Sequence, residues 1–202
     1  MDYSNIIIPI KIIMVGDLNV GKTSLLSKYS KNKNKPLPTE TTSSYISEYK
    51  IKNEVKFEIK IWDTAGQEKY KSLTKLFTKD ARIAILVYSI DNEESFNELG
   101  YWLELIKTAN DSKYMILGVI ANKSDLTSEK TISNEKGIEY ANKIGAIFKS
   151  TSAINQNNDI DEFIDELFDK FYELKLDIEA ESSSTLNRGM IRYSTVNNKK
   201  CC

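Results

Sequence analysis

One stretch limits the possible folds more than any other. Gly16-Asp17-Leu18-Asn19-Val20-Gly21-Lys22-Thr23 follows an apolar run, Ile10 to Val15, and opens a helix-patterned segment that ends near Ser30. The apolar run reads as a strand buried on both faces. The pattern G-x-x-x-x-G-K-T therefore falls between a strand and a helix, where a phosphate-binding loop must lie. In such a loop the backbone N–H groups converge on phosphate oxygens, and the helix N-terminus adds positive potential. Lys22 is placed to bring its ammonium to the terminal phosphates, and Thr23 to offer a hydroxyl to Mg²⁺. The candidate contacts are Gly16, Asp17, Leu18, Asn19, Val20, Gly21, Lys22, Thr23 and Ser24.

The rest of the chain alternates strand and helix patterns. Val55, Phe57, Ile59 and Ile61 alternate with polar neighbours, and Lys52-Asn53-Glu54 supplies a turn into them, which predicts a half-buried hairpin. Ala81 to Tyr88 and Met115 to Ile120 are further strands, separated by a helix with Phe96, Leu99, Trp102, Leu103 and Ile106 on one face. A helix over Ser133 to Ile144 leads to a short strand at Ala146 to Phe148, and a closing helix runs from about Asp159 to Lys175. This order implies a parallel-rich sheet covered by helices on both faces. Residues 31 to 44 have the composition of a mobile loop, and the run Lys31-Asn32-Lys33-Asn34-Lys35 reads as solvated within it.

Composition removes several alternatives. With 28 Lys+Arg against 29 Asp+Glu the formal charge is −1, so no overall field favours nucleic acid, and none is expected as a partner. The only cysteines are Cys201 and Cys202, which leaves the body without a disulfide or thiolate metal site and fits a reducing, cytosolic setting. Met1-Asp2 opens neither a signal peptide nor a myristoylation site, and Pro9 and Lys11 interrupt the apolar stretch Ile6 to Val15, so no membrane span is expected. A content of 41% hydrophobic residues suits one core. The expected organisation is an extension over 1–9, a nucleotide-binding domain over 10–175 and a tail over 176–202.

Trp62-Asp63-Thr64-Ala65-Gly66-Gln67-Glu68 follows the alternating strand, so Asp63 emerges at its carboxyl end, where ligands of open α/β sheets bind and where a carboxylate can hold Mg²⁺ through water. Phosphate loop and D-T-A-G-Q together resemble the small GTPases of the Ras superfamily. The resemblance implies the P-loop small-GTPase fold, an α/β architecture with a mostly parallel six-stranded sheet. It also implies that the Gly66 N–H contacts the γ-phosphate and that Gln67 is the catalytic residue that orients the attacking water. Asn122-Lys123-Ser124-Asp125 looks like the base-reading motif of that family. Guanine presents N1–H and an exocyclic amine side by side, which the Asp125 carboxylate can accept together, whereas adenine has an acceptor at N1 and no amine. Ser150-Thr151-Ser152-Ala153 resembles the fifth motif, in which the Ala153 N–H meets guanine O6 beside Ser152.

Trp62 to Tyr70, Asn92-Glu93-Glu94-Ser95-Phe96 and the final Cys-Cys resemble the Rab branch in particular. That resemblance implies GTP/GDP and Mg²⁺ as ligands and lipid attachment at Cys201 and Cys202. It places the protein on the cytoplasmic face of a membrane with a cytosolic pool, and suggests a role in vesicle traffic. The partners it implies are effectors, an exchange factor, a GTPase-activating protein, a prenylation escort and a GDP-dissociation inhibitor.

Four departures accompany the matches. Leu18 and Asn19 stand where Rabs usually carry a small residue and a glycine, and Leu18 would crowd the γ-phosphate. Thr41 best matches the loop threonine that joins Mg²⁺ and γ-phosphate, with Thr39 and Thr42 as close competitors. Asn34 stands where the family places an aromatic against guanine. Ile46 stands at the first position of an effector-facing aromatic trio otherwise matched by Trp62 and Phe77. A hydrolysis-impaired, mostly GTP-bound interaction module is the alternative these departures raise.

Overall fold

The computed structural model describes residues 7–33, 45–64, 78–110, 114–128 and 131–176. Its first strand, β1, spans Ile7–Val15 and leads into helix α1, Lys22–Asn32. The hairpin β2 (Tyr45–Lys52) and β3 (Val55–Asp63) follows, then β4 (Ile83–Ser89), α2 (Glu93–Asn97) and α3 (Leu99–Ala109). After β5 (Ile116–Asn122) come α4 (Asn134–Ile144) and β6 (Ile147–Ser150), and α5 covers 159–176. The six strands form one sheet in the order β2-β3-β1-β4-β5-β6. Among the described strands only β2, hairpin partner of β3, runs antiparallel. This is the expected α/β architecture.

Alternation along the strands builds two cores. Ile10, Ile12 and Met14 of β1 face one side, with Phe57, Ile59 and Ile61 of β3, and are covered by Leu25, Leu26 and Tyr29 of α1 and by Phe163, Ile164 and Leu167 of α5. Ile13 and Val15 face the other side with Ala84, Leu86 and Tyr88, beneath Phe96, Leu99, Trp102, Leu103 and Ile106. Both aromatic helix stripes are core, as their 3.6-residue spacing predicts. Full burial of one such side chain contributes roughly 1.5–3 kcal/mol.

Strand β1 starts three residues earlier than its apolar run suggests, and Pro9 lies within it. Only Ile12–Val15 pair with β4, while Pro9 sits opposite Glu58 of β3, so the proline occupies a stretch with one unshared edge. The sixth strand is shifted from the expected 146–148 to Ile147–Ser150. Helix α1 runs two residues past Ser30, with Lys33 as its C-cap, so the start of the lysine run is helical rather than loop. The β2–β3 turn is as tight as expected, with Asn53 and Glu54 both at positive φ, 49° and 65°.

Candidate functional site

The carboxyl ends of β1, β3 and β5 bring three of the sequence motifs together. Gly16 adopts φ 150°, and a Cβ there would lie 2.1 Å from the Val87 carbonyl oxygen of β4. Gly21 adopts φ 90°, and a Cβ there would lie 2.3 Å from Asn122 Nδ2. Both glycines are thus required by backbone and by space, which leaves the loop main chain open to a ligand. Helix α1 begins at Gly21 with no side-chain cap on its first N–H groups, whereas Asn92 caps α2 and Ser133 caps α4. Those uncapped donors are suited to an anion.

Lys22 is 4% exposed, and its Nζ donates to the carbonyls of Gly16 at 3.0 Å and Asp17 at 2.8 Å. The ammonium is therefore bent back over the loop it follows. Thr23 Oγ1 donates to Asp63 Oδ2 at 2.6 Å, bridging forty residues, and Asp63 is 3% exposed. Thr64 Oγ1 donates to the Met14 carbonyl at 2.6 Å and fixes the exit of β3 against β1. Among the described residues no three His, Cys, Asp or Glu gather into a metal cluster. A hydroxyl paired with one carboxylate leaves room for phosphate oxygens and water, a donor set suited to Mg²⁺.

Asn19 takes φ 60°, a left-handed conformation that asparagine tolerates better than most residues, so it can replace a glycine there. Leu18 projects from the loop, 39% exposed, while its N–H is held by Asp17 Oδ1 at 2.8 Å.

The residues expected to read the base form a second wall. Asn122 is 1% exposed; its Nδ2 donates to the Val20 carbonyl at 2.7 Å, and its Oδ1 has no hydrogen-bond partner among the described residues. Ser152 Oγ donates to Asp125 Oδ1 and accepts from the N–H groups of Ile154 at 3.1 Å and Asn155 at 3.4 Å. Ser124 N–H meets the Thr151 carbonyl at 3.1 Å, joining the two loops. Ala153, half-buried, follows, and a polar cleft of about 620 Å³ opens between this loop and α1, bordered by Ser24, Lys28, Ala153 and Asn157. Glycine cradle, buried lysine, hydroxyl–carboxylate pair and orphaned Asn122 acceptor all fit a guanine nucleotide with Mg²⁺.

The family model of the Ras family matches residues 11–173. The chain is 37% identical over 163 residues to the Ras-related protein Rab-11B of Dictyostelium discoideum, covering 80% of this chain and 73% of the relative. It is 36% identical over 175 residues to the Ras-related protein Rab-3C of Bos taurus, covering 81% and 73%. The corresponding match to the Ras-related protein Rab-3A of Homo sapiens is 34% over 170 residues, covering 81% and 76%. The chain belongs to the Ras family. It is a Rab-type small GTPase, a GTP-binding switch and a GTP-hydrolysing enzyme.

Several expected residues of this Rab-type GTPase lie outside the described residues. They are Thr41 with its competitors Thr39 and Thr42, Asn34, Gly66, Gln67, Phe77, Cys201 and Cys202. The ends that flank 34–44 are tied down. Tyr29 OH donates to the buried Glu48 carboxylate, and burial, with that neighbouring charge, pushes the phenol well above its ordinary range. At the other end Asn32 Nδ2 donates to Asp161 Oδ2 at 2.5 Å, and Lys33 pairs with Asp161 at 3.5 Å.

One expectation is corrected. Ile46 is buried in the core under α1, opposite Ile61, and cannot stand in an outward-facing trio with Trp62. Tyr45 is the residue across from Trp62, and their rings stack at 4.7 Å. A one-residue shift along a strand exchanges its faces. Tyr45, and not Ile46, is therefore the residue that shares a face with Trp62.

Sequence reasoning also missed two supporting residues. Lys28, 9% exposed, donates from Nζ to the Ser152 carbonyl at 2.9 Å and to Asn157 Oδ1 at 2.8 Å. Asp91 pairs with Lys123 at 3.3 Å and accepts from Ser89 Oγ. Burial opposes ionisation of Asp91, but the hydrogen bonds from Ser89 and Lys123 outweigh it and hold the carboxyl below its usual range. A lysine among polar helix residues and an acid in a turn give no pattern that would single either out.

Proposed function

We propose that the protein is a membrane-anchored switch that recruits effectors in vesicle traffic while GTP is bound and releases them after hydrolysis. The contact between Thr23 Oγ1 and Asp63 Oδ2 carries the reading, because it unites the phosphate loop with the acidic strand end around one point. In this reading Thr23 and Asp63 hold Mg²⁺, with Thr41 as the loop ligand, and the ion would neutralise phosphate charge. Lys22 lies against the loop carbonyls, from which it can turn to phosphate oxygens. Asn122, Lys123, Asp125, Ser152 and Ala153 receive guanine, and Gln67 and Gly66 act at the γ-phosphate. Two lipids on Cys201 and Cys202 give stable attachment where one gives only marginal binding.

The test is nucleotide release with Mg²⁺ present and chelated. Chelation should accelerate GDP release from the wild type, and Thr23→Ala should release GDP quickly under both conditions. A variant that kept the full chelator response would remove Thr23 from the metal site. Deleting Cys201 and Cys202 should move the protein to the soluble fraction with GTP binding intact; continued pelleting with membranes would place the anchor elsewhere. Exposed Leu18 favours a second reading, a module that holds GTP almost permanently, and single-turnover phosphate release separates the two.

A further inference from the structure

The wall that faces guanine in the proposed site is held from behind by a residue of the phosphate helix. Lys28 lies on α1, six positions after Lys22, and its side chain is nine-tenths buried. Its Nζ reaches 124 residues along the chain to the Ser152 carbonyl at 2.9 Å, and also to Asn157 Oδ1 at 2.8 Å. Ser152, fully buried, passes the constraint on: its hydroxyl donates to Asp125 Oδ1 while accepting the Ile154 N–H at 3.1 Å. A serine hydroxyl has one proton, so the acceptance of Ile154 fixes which way that proton points.

We infer that Lys28 is a positioning residue for base selection, which sets the Asp125 carboxylate through Ser152. The inference rests on the proposed reading of Asp125 as the acceptor of guanine N1–H and amine. The chain Lys28–Ser152–Asp125 links the helix that carries the phosphate contacts to the group that reads the base. Loss of the lysine would leave the Ser152 carbonyl and the Asn157 amide oxygen without their donor, at the border of an open polar cleft. The loop from 152 to 157 would then be held by its own short-range bonds, and the Asp125 carboxylate would lose its fixed direction.

The discriminating measurement compares release of fluorescent GDP with release of fluorescent inosine diphosphate from the full-length protein. Inosine lacks the exocyclic amine, so the ratio of the two rates reports how well Asp125 is aimed. Lys28→Met should lower the preference for GDP roughly tenfold, the scale of a lost charge-assisted hydrogen bond, and Lys28→Arg should restore most of it. Asn157→Ala, at an exposed position, should lower it in the same direction by less. Should Lys28→Met lack a melting transition, Asn157→Ala and Lys28→Arg decide the matter. Equal acceleration for both nucleotides would make Lys28 a purely structural residue and overturn the inference, as would an unchanged ratio. A wild-type protein that held both nucleotides alike would instead sink the reading of Asp125, and the inference with it.

Discussion

Asn122 Nδ2 donates to the Val20 carbonyl at 2.7 Å, so the motif expected to read the base also clamps the phosphate loop. The contact sits where a Gly21 side chain would have to go, since a Cβ there would meet the same Nδ2 at 2.3 Å. Asn122→Ala should leave the buried Val20 carbonyl unsatisfied and cost roughly 1–3 kcal/mol. That corresponds to a fall of at least about 2 °C in melting temperature for a domain of this size. Gly21→Ala strains the same contact from the other side, so the double variant should lose less than the sum of the single losses. Strictly additive melting shifts would mean the two positions are not coupled.

The β2–β3 turn offers a stabilising change far from the nucleotide. Glu54 holds φ 65°, which disfavours a side chain by about 1–2 kcal/mol, while glycine brings an entropic penalty of roughly 0.5–1 kcal/mol. Asn53 already suits the first position of such a turn. Glu54→Gly should raise the melting temperature by roughly 1–4 °C at the usual 2–4 °C per kcal/mol, with GDP release unaltered. A lower melting temperature would show that the Glu54 side chain makes a contribution larger than its strain.

The parts of the site legible in sequence were those where chemistry demands fixed residue types at fixed spacing. Gly16 and Gly21 could be read because a loop of that curvature tolerates little else, Lys22 and Thr23 because phosphate and Mg²⁺ call for an ammonium and a hydroxyl there, and the strand–helix alternation from apolar period. Tyr45 is not legible from the Thr41 side, because the segment between them has no periodicity and one residue of offset exchanges the two faces of β2. Counting back from the Asn53-Glu54 turn fixes the register instead, because Lys52 pairs with Val55 and Tyr45 with Trp62. Lys28 was illegible for another reason. Its partners lie 124 and 129 positions away, a relation that exists only once α1 and the loop after β6 are packed.

Asp91 gives the protein a pH signature. Its carboxyl is held below the ordinary range in the folded state, so the pairing with Lys123 favours folding above the unfolded-state value of about 4 and is lost as pH falls through the lower folded value. Asp91→Asn should therefore melt lower than the wild type by a constant margin from about pH 8 to pH 5, and the margin should shrink below about pH 4. A margin that widened with acid would reverse the sign of the argument.

In the proposed site, Leu18 is the residue expected to set how fast the switch turns itself off. The Asp17 carboxylate fixes the Leu18 N–H at 2.8 Å, and Asn19 turns the chain at φ 60°, so the leucine side chain leaves the loop in a set direction, with 39% of its surface exposed. In the proposed site that bulk stands where Gln67, water and the γ-phosphate must align, and a 1 Å misplacement can cost about 10²-fold in rate. Leu18→Gly should speed single-turnover phosphate release on the order of 10-fold, within that bound. It should do so without slowing GDP release, because the Lys22 and Thr23 contacts do not involve position 18. Adding back bulk as Leu18→Ile should leave the slow rate in place. If the glycine variant hydrolyses GTP no faster than the wild type, the slow step lies outside the loop, and the search would move to the segments that carry Thr41 and Gln67.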